Sequence, residues 1–136
     1  LVSAGGQYAG VEVPNGVTLY RIDGPLFFGA AQKAMQTFGE IGRESKVVIF
    51  DVSYVPAIDA TGIVNLESAL LRLRSRNALA LIVGAQPQPR TLIDGAELEK
   101  ATGVVMCDDL PQAFDRAEGF MDTRTHSQAA PPVRGD

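Results

Sequence analysis

The sequence has no tryptophan, one cysteine and one histidine, and each scarcity closes off a class of function. Cys107 alone cannot form an internal disulfide, so nothing points to an oxidising compartment. His126 falls in a stretch with almost no large apolar residues. A Ser-His-Asp or Cys-His arrangement is therefore not available in the core, and zinc lacks its ligands for the same reason. Cys107 reads as filling space at a strand end. A basic excess is missing too: 12 Lys and Arg stand against 16 Asp and Glu, for a net charge of −4. That leaves no electrostatic case for nucleic acid, which needs a basic face. No apolar run approaches the roughly 20 residues that cross a bilayer. The N-terminus lacks the basic start and apolar run of a signal peptide. No G-x-x-x-x-G-K-[ST] loop offers to hold a nucleoside triphosphate. No catalytic residue, metal ligand or firmly bound cofactor is expected.

What remains is an ordinary globular composition, 46% hydrophobic and 21% charged over 136 residues, enough for one domain with a proper core. The chain begins at Leu1 rather than methionine and is expected to be an excised piece of a longer protein. Small residues dominate positions 1–7, read as a flexible linker; residues 8–122 form the expected domain. Residues 123–136, with adjacent Pro131 and Pro132, are expected to be a disordered tail.

Within the domain, "VEVPNGVTLYRI" (11–22) predicts a hairpin, with Asn15-Gly16 supplying the positive φ angles of its turn. From Phe28 the apolar spacing becomes helical, through Ala31, Met35, Phe38 and Ile41, and Gly42 is placed to end the helix. Phe28 is expected on the buried stripe, and Phe27 either in the core, favoured by the general burial of large aromatics, or exposed for a partner. "KVVIFDV" (46–52) is a nearly unbroken β-branched run, the pattern of a central strand covered on both faces. After a loop comes a helix with Ile63, Leu66, Leu70 and Leu73 on one face and Arg72, Arg74 and Arg76 near its end. "ALALIVG" (78–84) is a second buried strand, a short helix is expected from about Pro89, "GVVMC" (103–107) is a short strand, and Asp109 caps a last helix. The expected order is ββαβαβαβα: an α/β fold with a mainly parallel mixed sheet, the hairpin being its antiparallel part.

The chemically suggestive stretch is "DATG" (59–62), between strand and helix, at the carboxyl end of the strand carrying Asp51. Sites in open α/β sheets sit at such ends. Asp51 and Asp59 would suit magnesium only with further acids and a lysine on a later strand, and "ALALIVGAQ" has no lysine. Asp51 reads as ending its strand in a polar loop, and Asp59 as the helix cap. A cap leaves Thr61 and Gly62 unexplained, since both are mediocre helix formers. Glycine there admits another backbone or a partner; threonine sets a hydroxyl beside the positive end of the helix dipole, where a phosphate is well placed. Thr61 is thus the candidate phosphorylation site. The amides of Ala60, Thr61 and Gly62, with hydroxyls from Ser53 and Tyr54, make the candidate anion or nucleotide site.

With "VTLYRIDGPLFFGAA" (17–31) and "VVIFDVSYVPAIDATG" (47–62), the chain resembles the STAS domain over residues 8–121, and "GPLFFGAA" is similar in particular to the branch in SulP anion transporters. There the domain follows the membrane segment. The resemblance implies a STAS-like fold and a non-catalytic regulatory or interaction domain of a sulfate- or bicarbonate-type transporter, on the cytoplasmic side of the membrane. The implied partners are the transporter's own membrane domain and a cytosolic protein such as acyl carrier protein; some members bind guanine nucleotides. In the anti-sigma-factor antagonist branch, the hydroxyl residue before the motif glycine is phosphorylated. That position is Thr61 here, preceded by Ala60 rather than serine. The alternative reading is accordingly a free-standing anti-sigma-factor antagonist switched by phosphorylation at Thr61.

Overall fold

The structure, a computed structural model, describes the backbone of residues 2–4, 7–8, 11–41 and 44–129 and the side chains of residues 13–39 and 44–123. Its sheet has five strands. Four are parallel: β4 (Val17–Asp23), β5 (Val47–Tyr54), β6 (Leu79–Val83) and β7 (Val105–Cys107). On the β4 edge, β1 (Val2–Ala4) pairs antiparallel, giving the order β1-β4-β5-β6-β7. Among the described residues, two-residue strands β2 (Gln7–Tyr8) and β3 (Val11–Glu12) pair with each other alone. Helices α1 (Phe28–Ile41), α2 (Ala60–Ser75), α3 (Pro87–Gly95) and α4 (Leu98–Thr102) fill the connections, and α5 (Leu110–Ala129) closes the chain.

The β-branched run of β5 earns its central place. Val47 to Val52 are all buried, and the strand's period of two divides them between two cores. Val48, Phe50 and Val52 face α1, α2, α3 and α4, meeting Met35, Leu66, Ile93 and Leu98. Val47 and Ile49 face α5, meeting Ala113, Phe114 and Ala117. Four helices therefore cover one face and a single helix the other. Tyr20, Phe38 and Phe50 pack as a ring cluster with centroids 5.1–6.2 Å apart. The Tyr20 hydroxyl donates to the Ala34 carbonyl at 2.7 Å, so its polar end is satisfied inside this packing.

From β4 onward the order is βαβαβααβα, which corrects the expected ββαβαβαβα in two places. The predicted hairpin does not form. Val11 and Glu12 pair with β2, and the antiparallel neighbour of β4 is β1, supplied by the stretch read as a linker. A turn does sit at Asn15-Gly16, with Gly16 at φ 85° and the Val17 amide donating to Pro14 O at 3.2 Å. But Gly16 O accepts from the amides of Lys46 and Val47 at 2.8 and 3.2 Å. The turn sets β4 in register with β5 instead of folding it back on β3. Second, the single helix expected from about Pro89 is two. Glu97 takes the left-handed conformation (φ 54°) and breaks α3 from α4.

Two further expectations change. The last helix runs past Met121 to Ala129 and so includes His126; residues 130–136 of the expected tail lie outside the described residues, as does Gly42. Asp51 does not end its strand. It is buried within β5, where its Oδ1 accepts from the Ser53 amide at 3.0 Å and the Ser53 hydroxyl at 2.6 Å.

Candidate functional site

Asp59 holds the junction at the carboxyl end of β5. It is the N-cap of α2, extended in backbone, and its Oδ1 accepts from the Gly62 amide at 2.8 Å. Its other oxygen accepts from the amide of Phe28, the first residue of α1, at 3.3 Å. One carboxylate thus satisfies an orphan donor on each of two helices and lies at the positive end of both dipoles.

The loop before α2 is held from two sides. Leu26 and Ile58 form a parallel bridge, with the Leu26 amide donating to Ala57 O at 2.9 Å and the Asp59 amide to Leu26 O at 3.4 Å. From α3, the Gln88 side chain takes both polar groups of Ile58, accepting from its amide at 2.9 Å and donating to its carbonyl at 3.0 Å. Gln86 donates to the Ser53 carbonyl at 2.8 Å. The sequence pointed only to a helix from about Pro89 and to neither glutamine; a side chain that mimics a strand edge leaves no periodic signal.

Gly62 is buried against this loop. A Cβ there would stand 2.6 Å from Ile58 Cγ1 and strike the Leu26 carbonyl oxygen. The backbone that the glycine admits is the chain's own. Thr61 is half-buried, and its hydroxyl has no hydrogen bond among the described residues; its carbonyl accepts from Asn65 Nδ2 at 3.0 Å.

Of the candidate anion donors, the Gly62 amide is already taken by Asp59, and the Ser53 hydroxyl by Asp51. The Ala60 and Thr61 amides have no partner among the described residues. Tyr54 is exposed, with the Arg21 guanidinium 4.6 Å above its ring, and Arg21 in turn pairs with Asp23 at 3.0 Å. No hydrogen bond ties Ser53 or Tyr54 to Ala60, Thr61 or Gly62 among the described residues. Asp59, carrying its own negative charge, stands where an anion would approach. Among the described residues, no three His, Cys, Asp or Glu side chains are grouped to hold a metal ion, and no helix is long and apolar enough to cross a membrane.

The surface beside Thr61 is apolar. Phe28 is 63% exposed, Phe27 47%, and Val64, one turn along from Thr61, 60%. This corrects the expectation of a buried Phe28 and the favoured core placement of Phe27. Phe28 is the first residue of α1, its amide tethered to Asp59, and the buried stripe starts a turn later at Ala31.

A parallel βαβ sheet carries a half-buried hydroxyl two residues past an aspartate cap, ahead of a glycine pressed on its own loop, the arrangement expected of a STAS fold. The STAS domain family model matches residues 8–112, and the chain belongs to that family. It is related in particular to SulP and bicarbonate transporter members. It is 27% identical over 106 residues, 78% of its length, to the bicarbonate transporter BicA of Synechocystis sp., spanning 18% of that protein. A sulfate transporter family protein from Wolinella succinogenes superposes with a TM-score of 0.73 at 27% identity, covering 88% of this chain and 99% of that one. The SulP transporter STAS domain from Vibrio cholerae gives 0.67 at 25% identity, covering 85% and 91%.

Proposed function

We propose that this chain is the non-catalytic, cytoplasmic regulatory domain of a SulP-type anion transporter, contacting its own membrane domain or a cytosolic partner through the surface around Thr61. The observation that carries this reading is the alignment with a bicarbonate transporter, of which the chain spans 18%: in that relative, the domain is a minor part of a transport protein. The exposed Phe27, Phe28 and Val64 beside Thr61 supply apolar area for such a contact, and a phosphate on Thr61 would change its charge.

Selectivity is set by groups that line a permeation path, and the described helices contribute no span to one. Removing the domain from the full-length protein is therefore expected to lower transport or membrane delivery while keeping the order of anion preference. Uptake of several anions into vesicles bearing full-length or truncated protein measures this. A changed order of preference would place the domain in the permeation path and overturn the reading. An open reading frame without apolar spans would overturn it in favour of the free-standing antagonist.

A further inference from the structure

At the opposite end of the sheet, where β6 begins, the structure has an open cleft of about 520 Å³ between α2, β6, α4 and α5. Its volume is within the roughly 300–1,000 Å³ typical of small-molecule sites. Among the described residues, Leu79 and Phe120 give it apolar walls, and Arg74 and Lys100 are its charged lining residues. Among the described residues no aspartate or glutamate lines it, although acids outnumber bases in the chain as a whole.

The two cations share one wall. Arg74 Nη1 donates to the carbonyl of Ala101, the residue after Lys100, at 2.8 Å. That bond uses one of the five guanidinium donors, and the others have no partner among the described residues. Lys100 makes no hydrogen bond or ion pair among the described residues. The carboxylate beside it, on Glu99, is turned to Arg90 at 4.0 Å. The negative end of the α2 dipole also points here, but two of its last carbonyls are already covered. Arg74 O accepts from the Asn77 amide and Leu73 O from the Ala78 amide, each at 3.0 Å. Unspent positive donors therefore line a cleft with apolar walls and, among the described residues, no compensating acid.

We propose that this cleft binds a small amphipathic anion, a phosphate or carboxylate carried on an apolar ring or chain. The anionic group sits between Arg74 and Lys100, and the apolar body lies against Leu79 and Phe120. The site is separate from the Thr61 surface and does not depend on the role proposed for it.

Phenyl phosphate is the probe, titrated into the ¹⁵N-labelled chain and followed by amide NMR shifts. Shifts are expected to concentrate at 77–80 and 100–103. Inorganic phosphate, which lacks the apolar body, should bind about tenfold more weakly. Lys100→Gln, an exposed change that breaks no bond among the described residues, should weaken phenyl phosphate about fivefold. Arg74→Gln should do at least the same. Co-sedimentation with phosphatidylglycerol vesicles separates a lipid headgroup from a free anion, and no binding to vesicles is expected. Shifts centred on 59–62, an unchanged affinity in Lys100→Gln, or Lys100-dependent vesicle binding without a phenyl phosphate response would each overturn the proposal.

Discussion

Replacing Gly62 by alanine sets two physical effects against each other, and the structure says which wins. Alanine in the first turn of α2 gains up to about 1 kcal/mol in helix propensity and unfolded-state entropy. Against that, its Cβ would meet the Leu26 carbonyl oxygen and Ile58 Cγ1, the latter at 2.6 Å. The carbonyl cannot swing aside as a flexible side chain would, because it accepts from the Asp59 amide and belongs to the Leu26–Ile58 bridge. Overpacking of this kind costs about 1–3 kcal/mol, and parting the loop from α2 would strain the Asp59 cap as well. The net expectation for Gly62→Ala is a loss of about 2 kcal/mol, or about 5–10 °C in Tm for a domain of this size. Gly39 in α1 is the control: a Cβ there meets nothing within 4 Å. Gly39→Ala should therefore stabilise by about 0.5–1 kcal/mol. Urea denaturation followed by far-UV circular dichroism measures both variants. If Gly62→Ala were as stabilising as Gly39→Ala, the close approach of the 26–27 loop would be wrong.

Asp59→Ala removes acceptors from two helix ends and is expected to cost about 2 kcal/mol, the upper end for a cap. Faster hydrogen exchange should appear at both Gly62 and Phe28, and a change confined to Gly62 would mean that the carboxylate serves α2 alone. Burial holds the Cys107 thiol above its ordinary value, with Arg116 opposing and Asp108 and Asp109 reinforcing, and burial likewise raises the Tyr20 phenol. An acid with a raised folded-state pKa contributes stability that is complete below its unfolded value and is lost as pH climbs towards the folded one. Urea midpoints should thus hold to about pH 8 and fall above it, with Cys107→Ala removing the thiol's share; a midpoint that rose with pH would contradict the burial. Thr61→Glu should leave the circular dichroism spectrum and fold intact while weakening contact with the partner in a pull-down from cells expressing the full-length protein. Unchanged capture would confine Thr61 to a structural role.

The parts of the fold that were legible in the sequence are those where one local pattern decides the outcome. A β-branched run with no polar alternation makes β5 central, and the leucine spacing of α2 returns as its buried face. Asp59 and Asp109 cap α2 and α5 because a carboxylate can reach amides three residues on, 2.8 Å for Gly62 and 3.0 Å for Gln112. What was hidden depends on partners distant in sequence. Asn-Gly predicts a turn but cannot say which strand will take the free edge of β4. Phe28 matches the helical stripe, yet its amide is pinned by Asp59, 31 residues away, and the side chain is left outside the packed turn. Gly62 permits many things in a sequence; only Leu26 and Ile58 show which of them it does here.

The same tether gives the proposed switch a physical route. A phosphate on Thr61 would gain from the free amides of Ala60 and Thr61 and from the positive end of α2. It would also stand two residues from the Asp59 carboxylate, which makes no ion pair among the described residues. Repulsion would act on a carboxylate that joins the starts of α1 and α2, and of its two bonds the longer, 3.3 Å to Phe28, is the weaker. Loosening that bond would release the first residue of α1, whose exposed ring, with Phe27 before it, makes up much of the apolar surface beside Thr61. Charge on the hydroxyl and placement of the contact surface would then be coupled through Asp59, with no change required in the sheet beneath.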